Sequence, residues 1–284
     1  MRSGSHIVQA FVLSLLNASD SNTSNSRELV PFIYMCGRYL RRSDKQRIAE
    51  TFRVGKGLAD LVLPPWDYNV APTSYQLVIR ADGDTGEREI ALMRWGLIPY
   101  FAKDLKSFAY STINARAESL SSSVIFSGPF ERRRCLIPAD GFYEWKKLAT
   151  MSAGSGEKPE KKKAAVAKQP FVFTLGSGEP FAFAGLWDRW KDPVAGVLES
   201  FTIITTTPNE LTAPVHNRMP VMLQPQDYDL WLSHVPAEKN TLPVPQLELV
   251  ALLKPYPADR MEAREAHMDV GNVRNNHPGL MNSA

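Results

Sequence analysis

Apolar and polar positions alternate in short runs along most of the chain, and a period of two predicts strands rather than long helices. Residues 76–80 and 89–95 are two such runs, and Ala81-Asp82-Gly83-Asp84 supplies turn residues between them, so a hairpin is expected. Residues 134–138 and 141–147 read as two more strands around the turn Ala139-Asp140-Gly141. The runs at 171–175, 181–186, 200–206 and 247–253 extend the β pattern. A helical period is confined to two places. Residues 43–52 put Ile48, Ala49 and Phe52 on one face behind Ser43 as cap, and 226–232 read as a second short helix. Many short strands and few helices indicate an α+β or mostly β domain.

Composition adds little that is unusual. The chain has 284 residues, 44% hydrophobic and 22% charged, enough for a sizeable core in one large domain or two small ones. A net charge of +3 permits contact with nucleic acid without arguing for it. The two cysteines, Cys36 and Cys135, are far apart and form no CxxC or Cys/His cluster, so no metal site is expected. Free thiols in a reducing compartment are expected over a disulfide.

Two stretches differ from the rest. Residues 7–16 are apolar but too short to span a bilayer, and a Ser/Asn-rich linker follows. Residues 1–34 are therefore expected to be a non-domain leader: a tag remnant, an over-extended gene start or a pro-segment, with a secretory signal as the alternative. Residues 149–168 are rich in Lys, Ala, Gly and Ser and lack aromatics, which predicts a disordered surface insertion.

Chemistry concentrates in four segments: Cys36-Gly37-Arg38-Tyr39, Ile113-Asn114-Ala115-Arg116-Ala117-Glu118, Pro138-Ala139-Asp140-Gly141-Phe142-Tyr143-Glu144-Trp145 and His216-Asn217-Arg218-Met219-Pro220. Singly, each has an ordinary reading. Asn114 could cap a helix over 115–120, and Glu144 could be an exposed strand position. His216 could lie on the surface, and Cys36 could be a small buried hydrophobe. Met35 before Cys36 reads as a start whose Met is removed, which would leave Cys36 with a thiol and a free α-amine.

Together these segments resemble the SOS-response-associated peptidase (SRAP) family, the abasic-site processing proteins. The resemblance continues through Tyr68-Asn69-Val70-Ala71-Pro72-Thr73, Arg94-Trp95-Gly96-Leu97-Ile98-Pro99, Arg134-Cys135-Leu136-Ile137-Pro138, Ala184-Gly185-Leu186-Trp187-Asp188, 201–206 and Gly271-Asn272-Val273-Arg274-Asn275. It runs in order from Met35 to about Asn275. It implies an α+β fold, mostly antiparallel β, with a barrel-like core and peripheral helices. A single domain over 35–276 would carry the 149–168 insertion, and 277–284 would be a tail.

The resemblance also implies a reaction. The N-terminal Cys would react with the ring-opened aldehyde of an abasic site in single-stranded DNA. A free α-amine has a reference pKa of about 7.7–8.0 and a thiol about 8.5, so both offer nucleophilic fractions near neutral pH. The amine forms a Schiff base and the thiolate closes a five-membered thiazolidine, a ring that no internal cysteine can form. By resemblance Glu144 handles protons, with a pKa raised in a pocket flanked by Tyr143 and Trp145. His216 acts on the sugar hydroxyl or assists strand cleavage, and Asn114 orients amine and sugar. The implied DNA contacts are Gly37, Arg38, Asn69, Pro72, Trp95, Arg116, Trp145 and Arg218, the arginines for phosphate and the tryptophans for base stacking or packing. The implied partner is single-stranded DNA containing abasic sites, bound by a monomer in a damage-response setting that brings it near the replication machinery. No cofactor and no membrane contact is implied. The compartment would be cytoplasmic or nucleoid-associated in a bacterium and nuclear in a eukaryote. The resemblance also implies autopeptidase (hydrolase) and DNA lyase activities beside the cross-linking. The alternatives are a thiol autopeptidase or protease, and a non-covalent reader of damaged or modified DNA.

Overall fold

The computed structural model describes residues 36–57, 62, 66–108, 111–148, 167–192, 196–233 and 246–283. The expectation for 1–34 falls outside these, and so does that for 149–168 except at its end, where Lys168 opens a strand. Thirteen strands and four short α-helices are present among the described residues. In chain order they are β1 Arg38–Arg41, α1 Lys45–Phe52, β2 Asp67–Val70, β3 Tyr75–Ala81, β4 Arg88–Trp95, β5 Asn114–Arg116, α2 Ser127–Arg132, β6 Arg134–Ala139 and β7 Gly141–Lys147. Then come β8 Lys168–Leu175, β9 Phe181–Asp192, β10 Gly196–Thr206, β11 Met219–Pro220, β12 Met222–Leu223, α3 Tyr228–Leu232, α4 Gln246–Ala251 and β13 Met261–Glu265.

One sheet closes on itself. Strand β10 pairs with β4, β4 with β3, β3 with β6, β6 with β9, and β9 again with β10. Closure removes the sheet's free edges. Only the pairings of β10 with β4 and β5 are parallel. The predicted hairpin is β3–β4, in register from Tyr75↔Arg94 to Ala81↔Arg88. The second sheet is antiparallel throughout, in the order β13-β8-β7-β1-β2. The chain is α+β with a mostly antiparallel, barrel-like core.

Two layers of apolar side chains hold these parts together. Ile48 and Phe52 of α1, Phe130 of α2, Trp231 of α3 and Leu249 of α4 pack on Leu77, Ile79, Leu136 and Leu186 of the barrel. Aromatic rings join the second sheet to the barrel: Tyr39 meets Trp95 at 5.3 Å and Phe183 at 5.8 Å, and Phe142 meets Phe183 at 6.1 Å between centroids. Edge-on contacts of this kind add to the burial of large apolar surfaces.

Several expectations change. Residues 134–138 and 141–147 do form strands, but β6 belongs to the barrel and β7 to the second sheet. Asp140 makes this corner: its buried carboxylate accepts from the N–H groups of Arg42 at 2.8 Å and Ser43 at 2.9 Å and from Ser43 Oγ at 2.7 Å. Gly141 is required there, because a Cβ would sit 2.8 Å from the Phe173 carbonyl. Ser43 is thereby engaged, and Asp44 caps α1 instead, accepting from Arg47 N–H at 2.8 Å. The run at 247–253 is not a strand: it is helical through Ala251, in α4. Leu249 and Leu253, four apart, are buried, while Leu247 is 83% exposed. The expected helix at 226–232 is α3 preceded by a 3-10 turn over Pro225–Asp227. Within the expected tail, Leu280 and Met281 are buried against Leu40, Tyr143 and Val172.

Candidate active site

The site forms where β1, β7, β5 and the loop between β10 and β11 meet. Cys36 stands just before β1. The register of β1 on β7, with Arg38 opposite Tyr143 and Tyr39 opposite Phe142, brings Cys36 alongside Glu144. Alternation along β7 places Phe142 and Glu144 on one face and Tyr143 and Trp145 on the other. Tyr143 and Trp145 pack in the cluster around Leu40 and Val172. The expected flanking of Glu144 by those two rings is therefore corrected, since they belong to the opposite face of the sheet.

Glu144 is the hub, with 2% exposure, which overturns the reading of an exposed strand position. The Cys36 backbone N–H donates to Glu144 Oε1 at 2.6 Å. The same oxygen lies 3.9 Å from His216 Nδ1. Asn114, in strand β5 rather than at a helix start, directs Nδ2 to the Cys36 carbonyl at 3.5 Å. His216 is partly buried, on a turn where the N–H groups of Val215 and His216 donate to Thr212 O at 2.9 and 3.0 Å. Thus Glu144 meets the Cys36 nitrogen, Asn114 meets the Cys36 carbonyl, and His216 approaches the Glu144 oxygen that holds that nitrogen.

The electrostatics follow from burial. Burial raises the Glu144 carboxyl above the usual range, opposed by His216 and by hydrogen bonds from Cys36 and Trp145. Burial also pushes the Cys36 thiol well up, reinforced by the Glu144 charge and the hydrogen bond between them, with Arg218 alone acting downward. The expectation of a substantial thiolate fraction near neutral pH is corrected: this thiol is held protonated and needs a base beside it. Glu144 is that neighbour. Cys36 and Cys135 are both free and buried. Cys36 adopts φ +44°, a left-handed conformation that costs a non-glycine residue about 1–2 kcal/mol.

The other sequence candidates divide. Trp95 is wholly buried, stacks on Phe201 at 6.3 Å and donates Nε1–H to Ile113 O at 2.9 Å. It cannot reach a base, and it fixes the residue before Asn114. Asn69 is buried with Nδ2 directed at the carbonyls of Val270, Asn272 and Asn275 at 3.2, 2.9 and 3.0 Å, so it clamps the C-terminal segment. Arg38 is half-buried, and its Nε and Nη1 meet no partner among the described residues. Arg116 is exposed, and Gly37, Pro72 and Trp145 are half-buried. Arg218 is not open-handed: it forks onto Glu118, Nη1 to Oε1 at 2.7 Å and Nη2 to Oε2 at 3.0 Å, and also donates to Thr205 O at 2.7 Å. Glu118 is a residue to which sequence reasoning gave no role. It sits two positions after Arg116 in a quoted motif, but its partner lies 100 residues on and no periodicity links them.

Fold and site define a β-barrel domain built around a cysteine whose nitrogen and sulfur both meet one buried carboxylate. The chain belongs to the SOS response associated peptidase (SRAP) family, whose model matches residues 35–273. It is 41% identical over 249 residues to the abasic site processing protein YoqW of Bacillus subtilis (strain 168), covering 88% of this chain and 100% of that one. It is 31% identical over 229 residues to the abasic site processing protein HMCES of Gallus gallus, covering 74% of this chain and 64% of that one. A crystal structure of a Bacteroides thetaiotaomicron protein shares the fold, with a TM-score of 0.70 at 24% identity over 88% of this chain and 100% of that one.

Proposed function

We propose that this protein processes abasic sites, and that it does so by capturing them in single-stranded DNA through Cys36 once residues 1–35 are absent. The observation that carries the reading is the 2.6 Å contact between Cys36 N and Glu144 Oε1. It puts a proton acceptor on the nitrogen that must act as nucleophile. Relatives named as abasic site processing proteins support the substrate class.

A free Cys36 amine, deprotonated by Glu144, adds to the aldehyde carbon of the opened deoxyribose. Glu144 returns that proton to the hydroxyl, which leaves as water, and an iminium remains. The thiol then gives its proton to the freed Glu144 carboxylate, and sulfur bonds the iminium carbon to close the thiazolidine. Burial keeps the thiol protonated until that step, which limits competing oxidation. His216, behind the same carboxylate oxygen, exchanges protons with the sugar hydroxyl, and Asn114 holds the Cys36 carbonyl. Arg38 and Arg116 are the cations available to phosphate, with Gly37, Pro72 and Trp145 near the DNA path.

The test uses chain beginning at Cys36, chain carrying residues 1–35, and a Cys36→Ala variant, each mixed with an abasic single-stranded oligonucleotide and run on a denaturing gel. A covalent band from the first alone is expected. A full band from Cys36→Ala would sink the reading.

A second reading is favoured by the backbone at Cys36. The left-handed φ and the Glu144 contact both involve the Cys36 backbone nitrogen. A residue at an N-terminus has no φ to strain, so cleavage there removes the cost. Self-processing by the same residues would expose the amine. Intact mass after incubation, with Glu144→Gln as control, measures it.

A further inference from the structure

We infer that Glu118 is a positioning residue that holds the His216 imidazole in register through Arg218. His216 Nδ1 lies 3.2 Å from both the backbone nitrogen and the backbone oxygen of Arg218. A neutral ring accepts from the Arg218 N–H at Nδ1, which places its own proton on Nε2. A protonated ring donates from Nδ1 to the Arg218 carbonyl, facing Glu144 Oε1 at 3.9 Å. Both protonation states therefore lean on the backbone of one residue, and the placement of that residue decides the ring's geometry.

Arg218 is held by its side chain. Its guanidinium forks onto the two Glu118 carboxylate oxygens at 2.7 and 3.0 Å and donates to Thr205 O at 2.7 Å. A two-pronged arginine–carboxylate pair fixes direction as well as distance. The guanidinium side is well covered, with 12% exposure, whereas Glu118 is 53% exposed. The carboxylate thus reaches in from the rim and closes the fork. The next residue, Met219, pairs with Thr206 in the β10–β11 ladder, so the loop is pinned on both sides of the Arg218 backbone. Without Glu118 the guanidinium keeps only its Thr205 contacts, and the ring that stands 3.9 Å from Glu144 Oε1 loses part of its fixed support. The same pair keeps the Arg218 cation at the distance from which it opposes the upward push on the Cys36 thiol.

This inference rests on the proposed function only for its kinetic consequence. The test is therefore split. Long-range proton–nitrogen correlation spectra of the full chain, without DNA, read the tautomer of His216 directly. In the wild type the Nε2–H form is expected to dominate. Glu118→Ala should give a mixture of tautomers, and Glu118→Asp should restore part of the wild-type signature. In the chain beginning at Cys36, Glu118→Ala should slow single-turnover adduct formation about 10- to 100-fold, as a misplaced proton carrier does. Ring signals of Glu118→Ala that match the wild type would overturn the inference. So would tighter binding of single-stranded DNA with unmoved ring signals, because Glu118 would then act as a competitor for phosphate on Arg218. A wild-type chain that never cross-links would sink the proposed function and leave the spectra readable.

Discussion

The Cys36 backbone nitrogen donates to Glu144 Oε1 at 2.6 Å, and the two residues are 3% and 2% exposed. One buried carboxylate thus serves a nitrogen and a sulfur on the same residue. Glu144→Gln keeps an oxygen to accept from Cys36 N–H but removes the base. We predict that the fold survives and that adduct formation slows about 10²- to 10⁴-fold, the usual range for loss of a general acid–base. Single-turnover cross-linking with chain beginning at Cys36 checks it.

The same carboxylate makes stability depend on pH. Burial raises its folded pKa above the unfolded value, so the folded state holds a proton that the unfolded chain has released. Stability falls as pH rises from the unfolded carboxylate range through the folded pKa. Glu144→Gln has no proton to lose. Urea melts of the two proteins are predicted to differ least at the acid end of that window. At higher pH the variant gains on the wild type, and a constant difference across the window would refute the assignment.

Asn69 and Trp95 are predicted to matter through the fold and not through direct contact with DNA. Trp95→Ala opens a cavity between Tyr39 and Phe201 and should cost about 3–5 kcal/mol in urea melts. Asn69→Ala leaves three backbone carbonyls of the C-terminal segment without their side-chain donor and should cost about 1–3 kcal/mol. Proteolysis of residues 268–281 should quicken in the second variant. DNA affinity per folded molecule should stay within twofold, about 0.4 kcal/mol, in both.

These two residues show where sequence reasoning stops. The β3–β4 hairpin was legible because its register is local, set by alternation and a short turn. The corner between β6 and β7 was not, because Asp140 takes its partners from Arg42 and Ser43, almost a hundred positions earlier. The short apolar run of α4 fits either period, and only the packing of Leu249 and Leu253 on the core decides it. Cys36, Asn114, Glu144 and His216 were recognisable as motifs, but nothing local says that Glu144 is buried or that the Cys36 thiol is held protonated. Trp95 and Trp145 look alike in sequence. One sits wholly in the core and the other is half-buried, because they lie on strands of different sheets. Arg218 reads as a free cation until its fork onto Glu118 is seen.

Arg38 is the counterpart of Arg218. Its Nε and Nη1 are buried and meet no partner among the described residues, and burial lowers its pKa. A guanidinium in that state destabilises the fold relative to an apolar side chain of similar length. Arg38→Met should therefore leave stability unchanged or raise it by about 1 kcal/mol. If the buried donors await a phosphate, the same change weakens binding of single-stranded DNA. It should also flatten the dependence of log affinity on log salt by about 0.7, the value for one phosphate contact on a single strand. Fluorescence anisotropy over a salt series reads the slope, and thermal melts read the stability. A destabilised variant with an unchanged slope would make Arg38 a structural residue. A stable variant with a flatter slope would place one phosphate directly beside the cysteine that begins β1's approach to Glu144.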